Sequence, residues 1–276
     1  MKAVKHPGIC KLCGDFKELT PEHIPPKNAF NSNNVIVLPF EEVVKVMAGA
    51  EGRMPWDTKG LRGQIQQGGH KKYCLCRDCN NKTGSWYMRA YTDLAKTVHT
   101  MINQEQLSVG NAYSFTIKNL YPLRIYKAMI TMICDINDNC LGDDNLRRFL
   151  LNKEDKNIDT SKYSLYMYLV STQMPRISGV SAIVNINNTK EAVLVSEMAS
   201  YPIGFALYLD KPESYTPFGL NVDMFASFDY DTKCDLHFGG MPYLDINSQF
   251  PADYRSKDDI IKCIENTEKA IKNNNV

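Results

Sequence analysis

The sequence has 276 residues, and its 43% hydrophobic and 23% charged residues are ordinary for a globular protein. A chain of this length suggests one large or two modest domains. It has no run of eighteen apolar residues and no apolar signal-peptide core near its start, so it predicts a cytoplasmic protein without a membrane span.

Charge is unevenly distributed along the chain. Residues 1–105 contain 15 Lys and Arg against 10 Asp and Glu, a net charge of +5. Residues 106–276 contain 17 against 21, a net charge of −4. A basic segment favours polyanionic partners such as nucleic acids. The excess is too small for the strongly basic class of proteins that coat DNA.

The first hundred residues predict short elements. In chain order they are a strand over 33–40, a helix over 41–50, a strand over 70–75 and a helix over about 86–104. Ser85 is placed to act as the N-cap of the last helix. Apolar residues then recur at spacings of three and four, which predicts one buried helix face formed by Tyr87, Tyr91, Leu94, Val98 and Met101.

Beyond residue 107 the pattern changes to runs of strands flanked by helices, which predicts an α+β domain with a mostly antiparallel sheet. The predicted helices cover 122–136, 143–151 and 257–272. The predicted strands cover 112–117, 163–171, 179–186, 191–199, 203–210, 223–230 and 234–239. We therefore predict two domains, residues 1–107 and residues 108–276.

Nine cysteines include two pairs with CxxC spacing, which in a reducing cytosol indicates a metal more often than a disulfide. Four thiolates in two such pairs are the ligand set of a tetrahedral structural zinc. Cys74 precedes the second pair by two residues and is a possible substitute ligand. The pairs are Cys10 with Cys13 and Cys76 with Cys79. We interpret Cys134, Cys140, Cys234 and Cys263 as plain thiols.

Between the cysteine pairs, LTPEHIPPKNAF (19–30) contains an adjacent carboxylate and imidazole, Glu22 and His23. On an extended segment, neighbouring side chains point to opposite sides of the strand. One of the two can then bind a metal ion while the other faces a substrate. A lone histidine is more often structural, so this interpretation depends on the surrounding motifs.

Together these motifs, CKLCG, LTPEHIPPK and GGHKKYCLCRDCNNKTG, resemble the zinc-containing HNH endonucleases of the ββα-metal superfamily. In that family a CxxC pair precedes a hairpin whose first strand carries an acidic–His dipeptide. The second strand runs into LCxxC, followed by His or Asn and then Lys. The resemblance covers about residues 8–90. It implies an N-terminal zinc-stapled ββα-metal (HNH) domain.

The resemblance also implies roles by position. His23 matches the general base that activates the attacking water. Glu22 matches the acidic ligand of a catalytic Mg²⁺ or Mn²⁺ ion, and Asn80 matches its other protein ligand. Lys71, Asn81 and Lys82 would bind the substrate near the scissile phosphate.

Three features depart from the family pattern. Glu22 replaces the usual Asp, and the connection over 26–69 is longer than the usual hairpin. The register of the middle Asn, which orients the catalytic His, falls on Lys71. His70 or one of four upstream asparagines can take over this role, or no residue does. Those asparagines are Asn28, Asn31, Asn33 and Asn34.

The expected function is therefore metal-dependent endonuclease activity on nucleic acid, with DNA as the first choice. Two alternatives stay open, an inactive zinc-stapled nucleic-acid-binding module and a protein–protein adaptor. A binding module would need only the basic surface, namely Lys27, Arg62, Lys71, Lys72, Arg77 and Lys82. Residues 108–276 are expected to serve targeting, regulation or assembly, as a homodimer or with a partner protein. The resemblance also suggests a setting in bacterial or phage defence.

Overall fold

The computed structural model describes residues 5–47, 54, 56–57, 59–172, 175–185 and 188–274. The helices are α1 (Phe40–Met47), α2 (Arg77–Thr83), α3 (Arg89–Gln104), α4 (Pro122–Ile136), α5 (Asp144–Leu151) and α6 (Lys257–Asn274). The first six strands are β1 (Pro7–Ile9), β2 (Phe16–His23), β3 (Val35–Val37), β4 (Gln64–Gln66), β5 (Lys71–Cys76) and β6 (Ala112–Leu120). The others are β7 (Tyr163–Val170), β8 (Arg176–Asn185), β9 (Asn188–Ser200), β10 (Ile203–Leu209), β11 (Leu220–Asn221) and β12 (Cys234–Leu244).

The strands form three sheets. The first is an antiparallel sheet in the order β1-β2-β5, and the second is the antiparallel pair β3-β4. The third has seven strands in the order β6-β12-β7-β10-β9-β8, with β11 added beside β7. Among the described residues its pairings are antiparallel apart from that between β12 and β7. The predicted mixed α+β class with mostly antiparallel sheets is confirmed.

Helix α4 lies at the centre of the molecule. The sequence predicts its bounds correctly, and it is buried on all sides apart from Arg124. A helix that is buried nearly all round has to be enclosed by other elements, and α4 contacts α3, β5 and the large sheet. It therefore connects the cysteine-rich part of the chain to the seven-stranded sheet.

Hydrophobic packing is continuous between the first and second parts of the chain, since one buried cluster runs from Cys10 to Tyr243. Polar contacts cross the same boundary. Tyr87 donates a hydrogen bond to the Leu150 carbonyl at 2.9 Å, and Arg147 donates from Nε to the Leu12 carbonyl at 3.0 Å. The division at residue 108 stays a prediction, and limited proteolysis that yields a stable fragment from that point would support it.

The predicted start of the long helix at Ser85 is wrong. The helical path begins at Arg77 and continues through a π-helical turn, Gly84–Met88, into α3. Ser85 does not accept a capping hydrogen bond; its hydroxyl donates to the Lys82 carbonyl at 3.0 Å. Gly84 has ordinary helical angles, so it does not interrupt the helix. The predicted apolar face is otherwise buried, with Met101 partly exposed.

The predicted strand over 223–230 is also wrong, because this segment begins with a short 3₁₀ helix, Asp223–Ser227. The carboxylate of Asp223 accepts a hydrogen bond from the Leu165 amide at 2.7 Å, which ties the turn to β7. The other predicted elements of this part are present. Positions 48–50 of the predicted helix over 41–50, and position 186, lie outside the described residues.

Helix α5 begins at a well-defined N-cap. One carboxylate oxygen of Asp143 accepts hydrogen bonds from the amides of Asn145 and Leu146, at 2.7 and 3.2 Å. The other oxygen accepts from Lys162 and Tyr163, at 2.6 and 2.7 Å. The Lys162 ammonium holds the pKa of Asp143 well below its ordinary value. This carboxylate therefore stabilises the fold at pH values above about 4.

Asp143→Ala is expected to lower the free energy of unfolding by about 1–2 kcal/mol at neutral pH, because the N-cap is lost. Asp143→Asn keeps an acceptor for the amides and should lose less. The pKa of Asp143 is lower in the folded state than in the unfolded state. The wild type is therefore more stable than the variants above about pH 4, and this difference in the free energy of unfolding decreases as the pH falls through the folded-state pKa. Urea unfolding at several pH values measures this, and equal midpoints for all three proteins at pH 7 would contradict it.

Within the described part of the chain, every helix is too short or too polar to cross a lipid bilayer.

Candidate metal centre and hairpin site

The four predicted cysteines converge at one end of the β1-β2-β5 sheet. Cys10 and Cys13 lie in the turn between β1 and β2, Cys76 ends β5, and Cys79 lies in the first turn of α2. Their sulfur atoms are all within 4.8 Å of one another. A tetrahedral ion with 2.3 Å bonds to sulfur requires sulfur–sulfur distances of about 3.8 Å. The pair formed by Cys13 and Cys76, at 4.0 Å, is close to this value.

Hydrogen bonds to and between these sulfur atoms affect the ionisation of the thiols. The amide of Cys76 donates to the Cys10 sulfur at 3.3 Å. A hydrogen bond from Cys79 lowers the pKa of Cys10 to about 4, so one thiol is ionised at neutral pH. The same contact raises the pKa of Cys79. A bound cation would let both cysteines ionise, because it stabilises all four thiolates together. The four cysteines could therefore bind a metal.

The remaining cysteines lie outside this cluster. Cys74 is buried, and its sulfur is directed to the Lys72 carbonyl at 3.7 Å, so it is not a member of the set of four. Cys134 and Cys140 are buried with their sulfurs 3.2 Å apart. Cys234 is partly exposed and Cys263 is exposed.

Strand β2, strand β5 and helix α2 together form a hairpin followed by a helix, and they bring Glu22 and Asn80 into contact. Glu22 and Thr20 lie two residues apart on β2 and face the helix. The side-chain amide of Asn80 donates to the Thr20 hydroxyl at 3.0 Å, and it also hydrogen-bonds the Glu22 carboxylate. Thr20 was not singled out in the sequence. Its position two residues before Glu22 was the available signal.

Burial raises the pKa of Glu22 to about 7, and the hydrogen bond from Asn80 opposes this shift. Without a cation, the carboxyl is therefore only partly ionised at neutral pH. A buried carboxylate is stabilised by a nearby positive charge, and a metal ion is one source of such charge.

His23 lies at the end of β2, on the opposite side of the strand from Glu22. Its Nε2 donates to the Gly68 carbonyl at 3.2 Å, since a carbonyl can only accept. A neutral ring that donates from Nε2 carries its lone pair on Nδ1. Burial lowers the pKa of His23, as do the charges of Lys71 and Lys27. The ring is therefore neutral at pH 7 and able to accept a proton.

The predicted substrate-binding residues lie around this hairpin. Lys71 is paired directly with His23 in the β2–β5 ladder and is partly exposed. Asn81 and Lys82 lie on α2 beside Asn80, and both are exposed. The structure therefore groups all six predicted residues on two strands and one helix.

Asn31 occupies a central position between the two ends of the hairpin. Its side-chain amide donates to the carbonyls of Pro25 and His70, at 2.6 and 2.9 Å. Its amide oxygen accepts from the His70 backbone at 2.7 Å. Asn31 therefore joins the end of β2 to the start of β5. His70, also considered for the middle position of the motif, contacts the same region, since its Nδ1 lies 3.3 Å from the Ile24 carbonyl oxygen.

Gly69 is required beside Asn31. Its φ is +104°, and a Cβ atom at this position would lie 2.0 Å from the Asn31 carbonyl oxygen. Any side chain would therefore push the two segments apart. The Gly68-Gly69 turn also supplies the carbonyl that His23 contacts.

One buried carboxyl near this site was missed in the sequence. Asp135 lies in the last turn of α4, and among the described residues neither of its oxygens has a hydrogen-bond partner. Burial, followed by the charge of Glu22, raises the pKa of Asp135 well above its ordinary value. Burial therefore favours the neutral form of this carboxyl. Its place in a largely apolar helix was the available signal in the sequence.

The chain matches no protein-family model, no curated protein and no solved structure at a significant level. The class of the protein therefore has to be argued from this site.

Proposed function

We propose that this protein is a metal-dependent endonuclease of the HNH type, which hydrolyses phosphodiester bonds in nucleic acid, with DNA as the expected substrate. The observation that carries the proposal is the placement of His23, Glu22 and Asn80 on a hairpin and helix next to a four-cysteine cluster. In this arrangement a neutral imidazole follows the carboxylate of a carboxylate–amide pair directly in the chain, on the other side of β2. The first is suited to accept a proton and the second to bind a hard cation.

The four cysteines are assigned to a structural zinc ion. Their spacing and number fit tetrahedral coordination, and their position at the junction of β5 and α2 fits a scaffold role. The zinc ion would fix the start of α2, and therefore the position of Asn80. It would take no part in the reaction.

Glu22 and Asn80 are assigned to the catalytic Mg²⁺ or Mn²⁺ ion. Carboxylate and amide oxygens are ligands that these hard cations accept, and two protein ligands leave room for phosphate oxygens and water. Ligation requires the Asn80 amide to turn, since its NH₂ group faces Thr20 and Glu22 here. When bound, the ion would stabilise charge on the scissile phosphate and the leaving oxygen.

His23 is assigned as the general base. Its Nδ1 accepts a proton from the attacking water, while the Nε2 hydrogen bond to Gly68 holds the ring in place. Asn31 is assigned as the residue that fixes this geometry, because it connects the strand ends on either side of His23. Lys71, Asn81 and Lys82 supply positive charge and hydrogen-bond donors for the phosphates.

The direct test is cleavage of plasmid, single-stranded DNA and RNA by the purified protein with Mg²⁺, with Mn²⁺ and with EDTA. Cleavage that requires one of the two cations supports the proposal. If no substrate is cut under any condition, while binding persists and weakens steeply with salt, the protein is instead a nucleic-acid-binding module. The absence of both cleavage and binding would favour the adaptor.

Mg²⁺ binding is expected to depend on pH through Glu22. Its pKa of about 7 in the ion-free protein means that the carboxyl is mostly protonated at pH 6 and mostly ionised at pH 8. Since the ion binds only the carboxylate, its apparent affinity should rise about tenfold over this range. Calorimetric titration of the protein without nucleic acid measures this. Glu22→Gln should bind Mg²⁺ more weakly and with little pH dependence; an unchanged affinity in Glu22→Gln would contradict the assignment.

A further inference from the structure

The outer face of the hairpin carries a stacked pair of aromatic rings. The rings of His6 and Tyr73 have centroids 3.6 Å apart and an interplanar angle of 21°. The backbone of His6 is fixed to β2, because its amide donates to the Glu18 carboxylate at 2.7 Å and its carbonyl accepts from the Leu19 amide at 2.9 Å. Tyr73 is nevertheless 45% exposed. The pair is therefore a fixed aromatic surface that is open to a ligand.

Strand register places this aromatic pair on the same face as His23. In the β2–β5 ladder, His23 is opposite Lys71 and Pro21 is opposite Tyr73, with no irregularity between these two pairs. Residues two apart on a strand point to the same side. Lys71 and Tyr73 therefore project side by side, about 7 Å apart along the strand.

Charge on this face suits a phosphate backbone. Lys71 and Lys27 are both close enough to His23 to act on its charge. Glu18 is an acidic group beside the aromatic pair, and one of its carboxylate oxygens accepts a hydrogen bond from the amide of His6. The face therefore combines an exposed aromatic ring with lysines, which is the combination that binds single-stranded nucleic acids.

We propose that this face binds a single-stranded segment of nucleic acid, with one unpaired base stacked on Tyr73 and the adjoining phosphate held by Lys71 beside His23. In a duplex, each base is covered by its neighbours and cannot stack on a protein ring. The inference rests on the proposed function, because that assigns His23 to the reaction. It adds that the preferred substrate is single-stranded around the cleaved bond.

The test is binding of a labelled single-stranded DNA and of the same strand in a duplex, measured by fluorescence anisotropy without added Mg²⁺ or Mn²⁺ and without chelator, so that no cleavage occurs and the structural zinc is retained. Tyr73→Ala should weaken binding to the single strand by about 5- to 150-fold, the loss expected for one stacked base. Binding to the duplex should be weak and should change little. Tyr73→Trp should retain binding, because an aromatic face remains.

Two further variants distinguish the loss of base stacking from a loss of folded protein. Tyr73→Leu preserves apolar bulk next to His6 and should still lose binding, since only an aromatic ring stacks on a base. Phe16→Ala is the matched control, because Phe16 is 73% exposed on the same hairpin but lies about 23 Å along β2 from His23. It should bind like the wild type.

The inference is overturned if single strand and duplex bind equally, if Tyr73→Leu binds like the wild type, or if Phe16→Ala loses as much affinity. Its failure differs from failure of the proposed function. If cleavage depends on His23 but not on Tyr73, the proposed nuclease function is supported and the stacking site is rejected. If binding to single strands depends on Tyr73 but the protein cleaves no nucleic acid, the stacking site is supported and the nuclease function is rejected.

Discussion

His23→Ala is expected to lower the rate of nucleic-acid cleavage by about 10²–10⁴-fold, because a general base acts in the transition state. Substrate binding should be nearly unchanged, since the imidazole contributes little to the ground-state complex. Zinc content and circular dichroism should match the wild type, because the His23 side chain has a single described hydrogen bond, to Gly68. Single-turnover cleavage with saturating Mg²⁺ is the measurement.

The matched control is His237→Ala, which removes an exposed imidazole that contacts Thr116 on the large sheet. It should cleave like the wild type. If His23→Ala cuts at the wild-type rate, or if cleavage continues undiminished in EDTA, the proposed mechanism is wrong.

Acid should slow the expected cleavage by the wild-type protein through the same residue. Because burial lowers the pKa of His23, the ring stays neutral at pH 7 and becomes protonated only below its ordinary value of about 6.5. The rate at saturating Mg²⁺ should therefore fall below about pH 6. A rate that rises on acidification would contradict the assignment of His23 as a base.

Cys79→Ser is expected to have the largest effect on stability. Wild-type protein purified without chelator should contain one zinc ion per chain, and the variant should contain much less. Binding free energy at a structural zinc site is about 10–16 kcal/mol in isolated zinc-finger peptides, and it contributes directly to folding. Loss of a ligand should therefore destabilise the first hundred residues by more than the 0.5–3 kcal/mol of an ordinary substitution. Metal analysis and thermal unfolding measure the two effects.

Two cysteines provide controls for this experiment. Cys74→Ser changes a buried thiol two residues from Cys76 that is not part of the four-sulfur cluster, so zinc content should stay at one. Cys263→Ser changes an exposed thiol on α6 and should leave both zinc content and stability unchanged. Loss of zinc in Cys74→Ser, with retention in Cys79→Ser, would reassign the fourth ligand.

The cysteine cluster and α4 could be predicted from the sequence because each depends on a local pattern. CxxC spacing places two sulfurs in one turn, and only the convergence of the two pairs had to be assumed. The bounds of α4 follow from Pro122 at its first position and an apolar run of helical length. The geometry within each CxxC pair and the bounds of α4 therefore require no knowledge of a distant partner.

The other elements depend on partners far away in the chain. The apolar residues that follow Asp223 also suit a strand, whereas the 3₁₀ turn is fixed by contacts such as the hydrogen bond from the amide of Leu165, 58 residues away, to Asp223. Among the asparagines considered for the middle of the motif, none has a local feature that separates it from the others. Asn31 is distinguished by contact with His70, which is 39 residues away. The raised pKa of Asp135 likewise depends on burial by distant segments.

The bridge formed by Asn31 has a consequence for how this protein can be altered. The Asn31 side chain joins Pro25, just after β2, to His70, just before β5. The geometry around His23 is therefore expected not to depend on the length of the chain between these two residues. Changes in the length of the chain between β3 and β4 are therefore expected to cost the hairpin little, as loop closure entropy grows slowly with length. This excursion is the natural place to insert a reporter, or for related sequences to acquire new specificity elements.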